Sequence, residues 1–335
     1  MSENDTTRLD NLDMLIISLM NDGGPRRISI PSFSILSKMR TTTFIDNLFS
    51  KPTEKHRLTT QPLEERIAHV RQLLSEADGV LIGAGAGLST AAGLRYDGVD
   101  FRREFRPWTE HYGITDLYSS SFYPFRTEEE YWACWARHIW FCRYRPDGLP
   151  LYRTLLSLVK GKDYFVFTTN VDAQFAKSGF EEDRIFACQG DYGLFQTESG
   201  QSKRLYPNET MVRRMMAATV DCRIPSDLIP RDGETGEKLV PNLRVDDRFV
   251  EDNHWDEQAR CYHEFLEQHR KGRLVLLELG VGFNTPGIIR FPFERMAAEY
   301  PHTALVRFNR QSMPLVTGIK DFTVFDGCEE IVKLR

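Results

Sequence analysis

The sequence predicts an α/β fold in which a doubly wound parallel sheet carries a smaller inserted lobe. Short apolar runs recur along the 335-residue chain, and helical patterns such as the one over 288–300 separate some of them. A strand buried on both faces of a parallel sheet is apolar throughout, and strands that alternate with helices build such sheets. The predicted strands are 80–82, 164–167, 274–279, 304–308 and 322–325.

The folded domain is expected to begin near Pro62. Ile67 and Val70 fall on one face at helical spacing, and Pro62 marks the start of that helix. We therefore assign 61–335 to the folded domain. Residues 1–60 are rich in Ser, Thr, Arg and Asn, and we expect a disordered or loosely docked extension there.

Two stretches interrupt the alternation of strands and helices, and we expect them to form the smaller lobe. The stretch of about 102–150 holds an aromatic-rich helix with Trp132 and Trp135, and that of about 194–258 is polar and turn-rich. The aromatic helix either belongs to the core or lines a hydrophobic substrate channel. Aromatic side chains at this spacing are more often core.

Composition argues against several classes of protein. The formal net charge of -5 disfavours nucleic acid as a partner, and no apolar run is long enough to predict a membrane span. The six cysteines are scattered without a Cys-x-x-Cys pair, which suits reduced thiols in an intracellular protein. We expect a cytoplasmic location. The stretch 26–43 carries only positive charges, which leaves mitochondria as the alternative.

A glycine-rich turn follows the first predicted strand. Residues 83–89 read Gly-Ala-Gly-Ala-Gly-Leu-Ser. In Rossmann-like sheets, glycines between a buried strand and a helix let backbone N–H groups approach a pyrophosphate. The run does not match Gly-x-Gly-x-x-Gly, and no Gly-Lys-Ser/Thr follows it. The alternative is a tight connection that binds nothing.

A second polar motif follows the predicted strand over 164–167. Thr168, Asn170 and Asp172 stand where ligands bind in an open α/β sheet, beyond the carboxyl ends of the strands. A short amide and a carboxylate there can hold ribose hydroxyls, a water and a carboxamide. Asn and Asp are also good helix N-caps, so the motif alone leaves both interpretations open.

Three further strand ends terminate in small or amide-bearing residues. Gln189 follows the short run 184–186, Asn309 ends the strand over 304–308, and a Gly-Val-Gly-Phe-Asn-Thr-Pro segment follows 274–279. Any one could be a plain loop, but five such ends together favour one long dinucleotide-binding crevice. The last segment contributes Gly280, Gly282, Asn284 and Thr285.

These motifs resemble, in order and spacing, the signatures of the sirtuin family. Residues 85–89 with Gly93 look like the sirtuin Gly-Ala-Gly-x-Ser turn followed by glycine. The segment 168–172 resembles the Thr-Gln-Asn-x-Asp motif, with threonine in place of the glutamine, and 280–286 is similar to a segment that holds the cofactor. The resemblance spans roughly 62–335 and makes this a sirtuin-like catalytic domain.

Longer matches lie with the macrodomain-linked sirtuin branch, class M. The resemblance implies a mono-ADP-ribosyltransferase that uses NAD+ as co-substrate, releases nicotinamide and modifies a lipoylated carrier protein related to the glycine-cleavage H protein. It also implies a partner macrodomain protein that removes the ADP-ribosyl group. The matching stretches are 87–93, 122–125, 189–194, 242–244 and 277–287.

The chain departs from deacylating sirtuins at two places. Gln189 stands where they carry a histidine that acts as general base, and an amide can orient a ribose but cannot take its proton. The stretches 196–201 and 231–236 stand where many sirtuins place zinc-binding cysteine pairs, and they contain no cysteine. We therefore expect ADP-ribosyl transfer rather than deacylation, and no structural zinc.

By this resemblance the catalytic residues are Asn170, Gln189 and Asp172. Asp172 is expected to hold the nicotinamide carboxamide, while Asn170 and Gln189 position the ribose. The expected cofactor-binding residues are Gly85, Ala86, Gly87, Ser89, Gly93, Tyr96, Thr168, Asn170, Asp172, Gln189, Gly280, Gly282, Asn284, Thr285 and Asn309.

Two other functions stay open, an NAD+-dependent deacylase and a non-catalytic sensor of NAD+ or ADP-ribose. A Rossmann dehydrogenase fits least, because the third glycine is missing. Four basic residues of the polar lobe either dock an acidic carrier or form a solvated face: Lys203, Arg204, Arg213 and Arg214.

Overall fold

The computed structural model describes residues 61–283, 285–310 and 318–335. The predicted extension over 1–60 and the expected cofactor residue Asn284 lie outside these residues. The strands within them are β1 (Gly79–Ala84), β2 (Tyr164–Thr168), β3 (Ile185–Ala187), β4 (Gly190–Thr197), β5 (Tyr206–Pro207), β6 (Leu239–Leu243), β7 (Leu274–Leu279), β8 (Thr303–Phe308) and β9 (Asp321–Phe325).

Helices connect and cover these strands. No helix in the described part of the chain has the length and apolarity that crossing a membrane requires. The helices are α1 (Leu63–Glu76), α2 (Ala86–Ala91), α3 (Gly98–Glu104), α4 (Arg106–Tyr112), α5 (Leu117–Ser121), α6 (Glu128–Ile139), α7 (Pro150–Val159), α8 (Gln174–Lys177), α9 (Glu209–Ala218), α10 (Asn253–His269) and α11 (Arg290–Glu299), with a π-helical turn at Trp140–Tyr144 and 3-10 segments at Glu182–Arg184, Ser226–Leu228 and Cys328–Leu334.

The six parallel strands of the main sheet are buried on both faces. Their order is β3-β2-β1-β7-β8-β9. On β7, Val275 and Leu277 pack with α1 and α7, whereas Leu274 and Leu276 pack with α10 and α11 on the opposite face. Burial on both faces explains why the strands are apolar throughout, and it confirms the predicted doubly wound sheet.

The order of the strands reverses at β1, in the centre of the sheet. The chain builds β1, β2 and β3 towards one edge and later builds β7, β8 and β9 towards the other. Ala84 and Leu279, the last residues of β1 and β7, are therefore neighbours in the sheet. Ligands of open α/β sheets bind at such reversal points, beyond the carboxyl ends of the strands.

The smaller lobe contains an antiparallel sheet in the order β5-β4-β6. Its sheet begins at Gly190, slightly before the start expected from the sequence, and α10 from Asn253 onward packs on the main sheet. Helices α3 to α6 and α9 share an aromatic core with this sheet, in which Phe105 contacts Phe141 and Trp132 contacts Phe195.

Candidate active site

The carboxyl ends of β1 and β7 meet through their backbones. The Gly87 N–H donates to the Gly280 carbonyl at 3.0 Å, and the Gly85 N–H donates to the Leu279 carbonyl at 3.0 Å. Gly280 has a φ of 61°, and a Cβ there would lie 2.3 Å from the Leu88 nitrogen. Two predicted cofactor segments are thus packed together, and glycine is required at this contact for steric reasons.

Helix α2 begins within the glycine-rich turn and leads the chain away from the end of β1, where the strand order reverses. Ala86, in its first turn, is exposed, and Ser89 is fully buried. Gly93 follows the end of the helix, where its N–H donates to the Thr90 carbonyl and the next N–H, of Leu94, donates to the Ser89 carbonyl. This pattern is a Schellman motif, so Gly93 ends the helix, and its contact with a cofactor stays a prediction.

Four buried side chains from three elements form one hydrogen-bond network. Ser89 Oγ donates to Asp172 Oδ2 at 2.5 Å, and the Tyr152 hydroxyl lies 2.7 Å from Ser89 Oγ. Asn170 Nδ2 donates to the Gly85 carbonyl at 3.1 Å and lies 3.3 Å from both Ser89 Oγ and the Tyr152 hydroxyl. The network therefore ties the glycine turn after β1 to the polar motif after β2.

Asp172 is 1% exposed at the centre of this network. Its Oδ1 accepts a hydrogen bond from the Gln174 N–H at 3.0 Å, so the carboxylate also orders the start of α8. Burial raises the pKa of Asp172, and the hydrogen bonds from Ser89 and Gln174 oppose that rise. Asp172 therefore orders the start of the short helix, which is one of the two interpretations left open by the sequence, and its contact with a cofactor stays a prediction.

The Thr168 side chain shapes the turn after β2. Its hydroxyl donates to the Ala84 carbonyl at 2.9 Å and accepts from the Asn170 N–H at 3.0 Å. The Thr168 carbonyl accepts from the Cys188 N–H at 3.1 Å, which joins the ends of β2 and β3. Burial raises the pKa of Cys188 to about 12, so its thiol stays protonated and plays a structural part.

A cleft of about 830 Å³ lies in the smaller lobe and reaches these strand ends. Thr169, Val171 and the half-buried Gln189 line it near the network, and β6 with the segment after it forms one wall. Trp132 and Trp135 of α6 line the cleft while most of their surface is buried in the aromatic core. The aromatic helix is therefore both core and cleft wall.

The loop after β7 is held by the predicted residue Asn309. The Asn309 side-chain amide donates to the Val281 carbonyl at 2.6 Å. Gly282 is exposed, with open space where a Cβ would stand, and Thr285 is half-buried. All three residues follow the carboxyl end of β7 or β8, and their contacts with a cofactor stay predictions.

Two further tyrosines surround Asp172. Burial raises the pKa values of Tyr96 and Tyr192 well above their ordinary range, and the Asp172 charge adds to both shifts. Tyr96 was expected at the site from the sequence. The hydroxyls of Tyr96, Tyr152 and Tyr192 therefore keep their protons at neutral pH.

Like Tyr192, Tyr152 is a site residue that sequence reasoning missed. It lies on the buried stripe of α7 with Leu151, Leu155 and Val159, where a tyrosine is ordinarily assigned to the core. The available signal was its hydroxyl, because a buried tyrosine O–H needs a hydrogen-bond partner. The sequence did not show that the partners would come from α2 and from the segment after β2.

Hydrogen bonds close the turn over 231–236, a stretch that contains no cysteine. Asp232 Oδ1 accepts from the N–H groups of Glu234 at 2.6 Å and Thr235 at 3.0 Å, and Oδ2 accepts from the Tyr206 hydroxyl. These donors lower the pKa of Asp232 to about 2. Across the described residues, no group of three or more His, Cys, Asp or Glu side chains could hold a metal ion.

The basic residues of the smaller lobe are mostly engaged in ion pairs. Lys203, Arg204 and Arg213 each pair with an acidic side chain at 2.7–3.3 Å. Exposed pairs of this kind contribute little to stability, and they reduce the positive charge that the face offers to a partner.

The fold is that of the Sir2 enzymes. A Sir2 homologue solved with NAD shares 13% sequence identity with this chain at a TM-score of 0.51, over 80% of this chain and 91% of that one. A Sir2 homologue variant solved with ADP-ribose shares 13% identity at a TM-score of 0.50, over 79% of this chain and 94% of that one. The reversal-point site therefore belongs to a sirtuin-fold protein.

Sequence relatives identify the family. No family model matches the chain. A protein named protein ADP-ribosyltransferase from Staphylococcus aureus is 32% identical over 256 residues, 76% of this chain and 81% of that protein. A probable bifunctional ADP-ribose hydrolase/ADP-ribosyltransferase from Fusarium oxysporum is 31% identical over 78% of this chain, which spans 48% of that longer protein. The chain belongs to the family of sirtuin-type protein ADP-ribosyltransferases.

Proposed function

We propose that this chain is an NAD+-dependent protein mono-ADP-ribosyltransferase that modifies a lipoylated carrier protein and releases nicotinamide. The observation that carries the proposal is the position of Gln189. Its side chain lines the cleft together with Thr169 and Val171, the residues on either side of Asn170. An amide rather than an imidazole thus stands where the cleft meets the network, which favours transfer without a general base.

The strand ends suit a dinucleotide. Ala86 and Gly87 are exposed at the reversal point, and Gly282 is exposed in the neighbouring loop. Small residues there let a pyrophosphate approach the backbone closely. We assign the pyrophosphate to the turn over 85–89 and the adenosine half of NAD+ to the loop after β7, with Asn309 holding that loop.

The chemistry needs fixed dipoles more than a base. Cleavage of the nicotinamide–ribose bond builds positive charge on the ribose, and preorganised dipoles directed at that charge supply much of the catalysis. Asn170 and Gln189 would provide them. Asp172 is almost fully buried, so the role that the geometry supports best is to hold Ser89 and, through Ser89, the remainder of the network.

The acceptor follows from the absence of a strong base among the described residues that line the cleft near the network. Gln189 does not titrate near neutral pH, and Tyr192 keeps its proton because burial raises its pKa. A carboxylate is already deprotonated at neutral pH, so it can attack the ribose carbon directly. We therefore propose an acidic side chain of the carrier as the acceptor.

The walls of the cleft support a lipoylated carrier. Trp132 and Trp135 line one side, and apolar residues of β6 such as Leu239 and Val240 line another. A mainly apolar wall suits a lipoyl arm, since burying hydrocarbon contributes about 25 cal/mol per Å². The lipoyl arm would anchor the carrier while a neighbouring carboxylate reaches Gln189.

A macrodomain protein is the proposed antagonist of this reaction. The Fusarium relative is named as both a hydrolase and a transferase, and this chain spans about half of its length. We propose that a partner macrodomain protein removes the ADP-ribosyl group from the carrier.

Transfer from labelled NAD+ tests the proposal. The purified chain would be incubated with lipoylated carrier, unlipoylated carrier or an acyl-lysine peptide, and Asn170→Ala would serve as the impaired variant. We expect label on the lipoylated carrier alone and only a small residual amount with Asn170→Ala. Deacylated peptide without labelled protein would replace this proposal with the deacylase. Binding of NAD+ without nicotinamide release under any condition would replace it with the sensor.

A further inference from the structure

We propose that Tyr152 is a positioning residue for the transfer, whose hydroxyl fixes the amide of Asn170 in the one orientation that leaves its oxygen available to the ribose. The inference rests on the proposed function, because an oriented amide dipole matters only if positive charge develops beside it. Tyr152 lies in α7, and Asn170 follows β2, so the two residues meet only in the folded protein.

The neighbours of Asn170 determine which way its amide faces. The Gly85 carbonyl can only accept a hydrogen bond, so the amide atom 3.1 Å from it is the NH2 group. The same nitrogen lies 3.3 Å from Ser89 Oγ and 3.3 Å from the Tyr152 hydroxyl. Among the described residues the amide oxygen has no hydrogen-bond partner, which leaves it as the acceptor that a ribose can meet.

The protons of the network have one consistent arrangement. The ionised Asp172 only accepts, so the single Ser89 proton is donated to it. The 2.7 Å bond between Ser89 and Tyr152 must then be donated by the tyrosine hydroxyl. The second N–H of Asn170 is shared between the Tyr152 oxygen and Ser89 Oγ, each of which lies 3.3 Å from the amide nitrogen. Donors point from Asn170 towards the carboxylate, and such chains strengthen each of their members.

Burial keeps the Tyr152 hydroxyl in this donor role. The side chain is fully buried, and burial raises the pKa of Tyr152 well above its ordinary range, so its proton is retained at neutral pH. The ring packs edge-on against Phe175 at 4.9 Å between centroids. Replacement of Tyr152 by phenylalanine therefore removes the hydrogen bonds and preserves the packing.

The test compares Tyr152→Phe with the wild type in two measurements. Single-turnover nicotinamide release would be measured with NAD+ and lipoylated carrier, and NAD+ affinity by calorimetry. We expect release to slow by about 10- to 100-fold, as for a misoriented catalytic group. NAD+ affinity should stay within about twofold, because the lost interaction acts in the transition state.

The decisive comparison introduces Tyr152→Phe into the Asn170→Ala variant. If Tyr152 acts through Asn170, the double variant Asn170→Ala/Tyr152→Phe should release nicotinamide no more than about twofold more slowly than Asn170→Ala alone. Additive losses would overturn the inference, since Tyr152 would then act independently of the amide. Wild-type release by Tyr152→Phe alone would overturn it as well.

Tyr164→Phe is the matched control. Tyr164 is also buried, accepts a hydrogen bond from the Glu181 N–H at 3.2 Å and packs edge-on against Phe180, but it lies at the amino end of β2. It should release nicotinamide at the wild-type rate. A fall in melting temperature and NAD+ affinity beyond that of the control would mark the Tyr152 hydroxyl as structural and contradict the inference. If the wild type labels no acceptor, that result would instead contradict the proposed function itself.

Discussion

Ser89 and Asp172, 83 residues apart in the chain, share a 2.5 Å hydrogen bond at the point where the strand order reverses. Both side chains are buried; Ser89 lies in α2, which follows β1, and Asp172 lies in the segment that follows β2. The contact holds the glycine turn against the polar motif. It also buries the carboxylate of Asp172, and burial disfavours the negative charge. We therefore expect the charge that supports activity to lower the stability of the fold.

Asp172→Asn should make the protein more stable and nearly inactive. Burial raises the pKa of Asp172, so ionising its carboxyl costs more free energy in the folded protein than in the unfolded chain, and the ionised form destabilises the fold. That destabilisation appears as pH rises above the unfolded pKa of about 4 and is complete once pH passes the raised folded value. An amide does not ionise, so the variant should have a higher melting temperature than the wild type in thermal unfolding at pH 8.

The advantage of Asp172→Asn should shrink as the pH approaches 4, where the wild-type carboxyl is neutral as well. Nicotinamide release should fall by about 100-fold or more, as when a preorganised charge is removed from an active site. A variant that melts below the wild type at pH 8 would contradict the direction assigned to this pKa.

The pH dependence of nicotinamide release distinguishes Gln189 from a histidine. Burial lowers the pKa of His138, beside the cleft residue Trp135, to about 3, so that imidazole does not titrate near neutrality. The wild-type rate should therefore be flat between about pH 6.5 and 8.5. Gln189→His should acquire a titration near pH 6.5, the ordinary value for an exposed imidazole.

Release rates over this pH range, at saturating NAD+, check the prediction for Gln189. Gln189→Asn, which keeps an amide, is the matched control and should stay flat even if it is slower. A wild-type profile with a step near pH 6.5 would mean that an imidazole acts at the site after all.

The variants Gly280→Ala and Gly282→Ala distinguish a glycine that backbone packing requires from a glycine that a cofactor would contact. At Gly280 the positive φ and the 2.3 Å approach to Leu88 exclude a side chain, so we expect a loss of about 1–3 kcal/mol of stability from backbone strain, with the clash adding to it. Gly282 has open space around it, so alanine there should leave the melting temperature unchanged. It should instead weaken NAD+ binding if a cofactor approaches this backbone, and calorimetry would show whether it does.

The sequence predicts the sheet better than it predicts the site. The apolar runs predict the strands of the main sheet because a strand that is buried on both faces is apolar throughout. Asn170 and Asp172 were identified because they directly follow a strand. Tyr152 was not, because its stripe on α7 has the spacing of ordinary core, and nothing local indicates which loops will meet its hydroxyl. The double use of Trp135 as core and cleft wall is equally a product of tertiary packing.

The turn over 231–236 should depend on Asp232 rather than on a metal ion. Its donors hold the pKa of Asp232 at about 2, so the carboxylate stabilises the folded state above its unfolded pKa of about 4, and this contribution is lost as pH falls through about 2. Asp232→Ala should therefore lower the melting temperature at pH 7 and differ little from the wild type at pH 2. Asp227→Ala, at an exposed position of the same lobe, is the control and should match the wild type at both pH values. EDTA should leave the wild-type melting temperature unchanged at pH 7, and stoichiometric zinc by metal analysis would refute this account of the lobe.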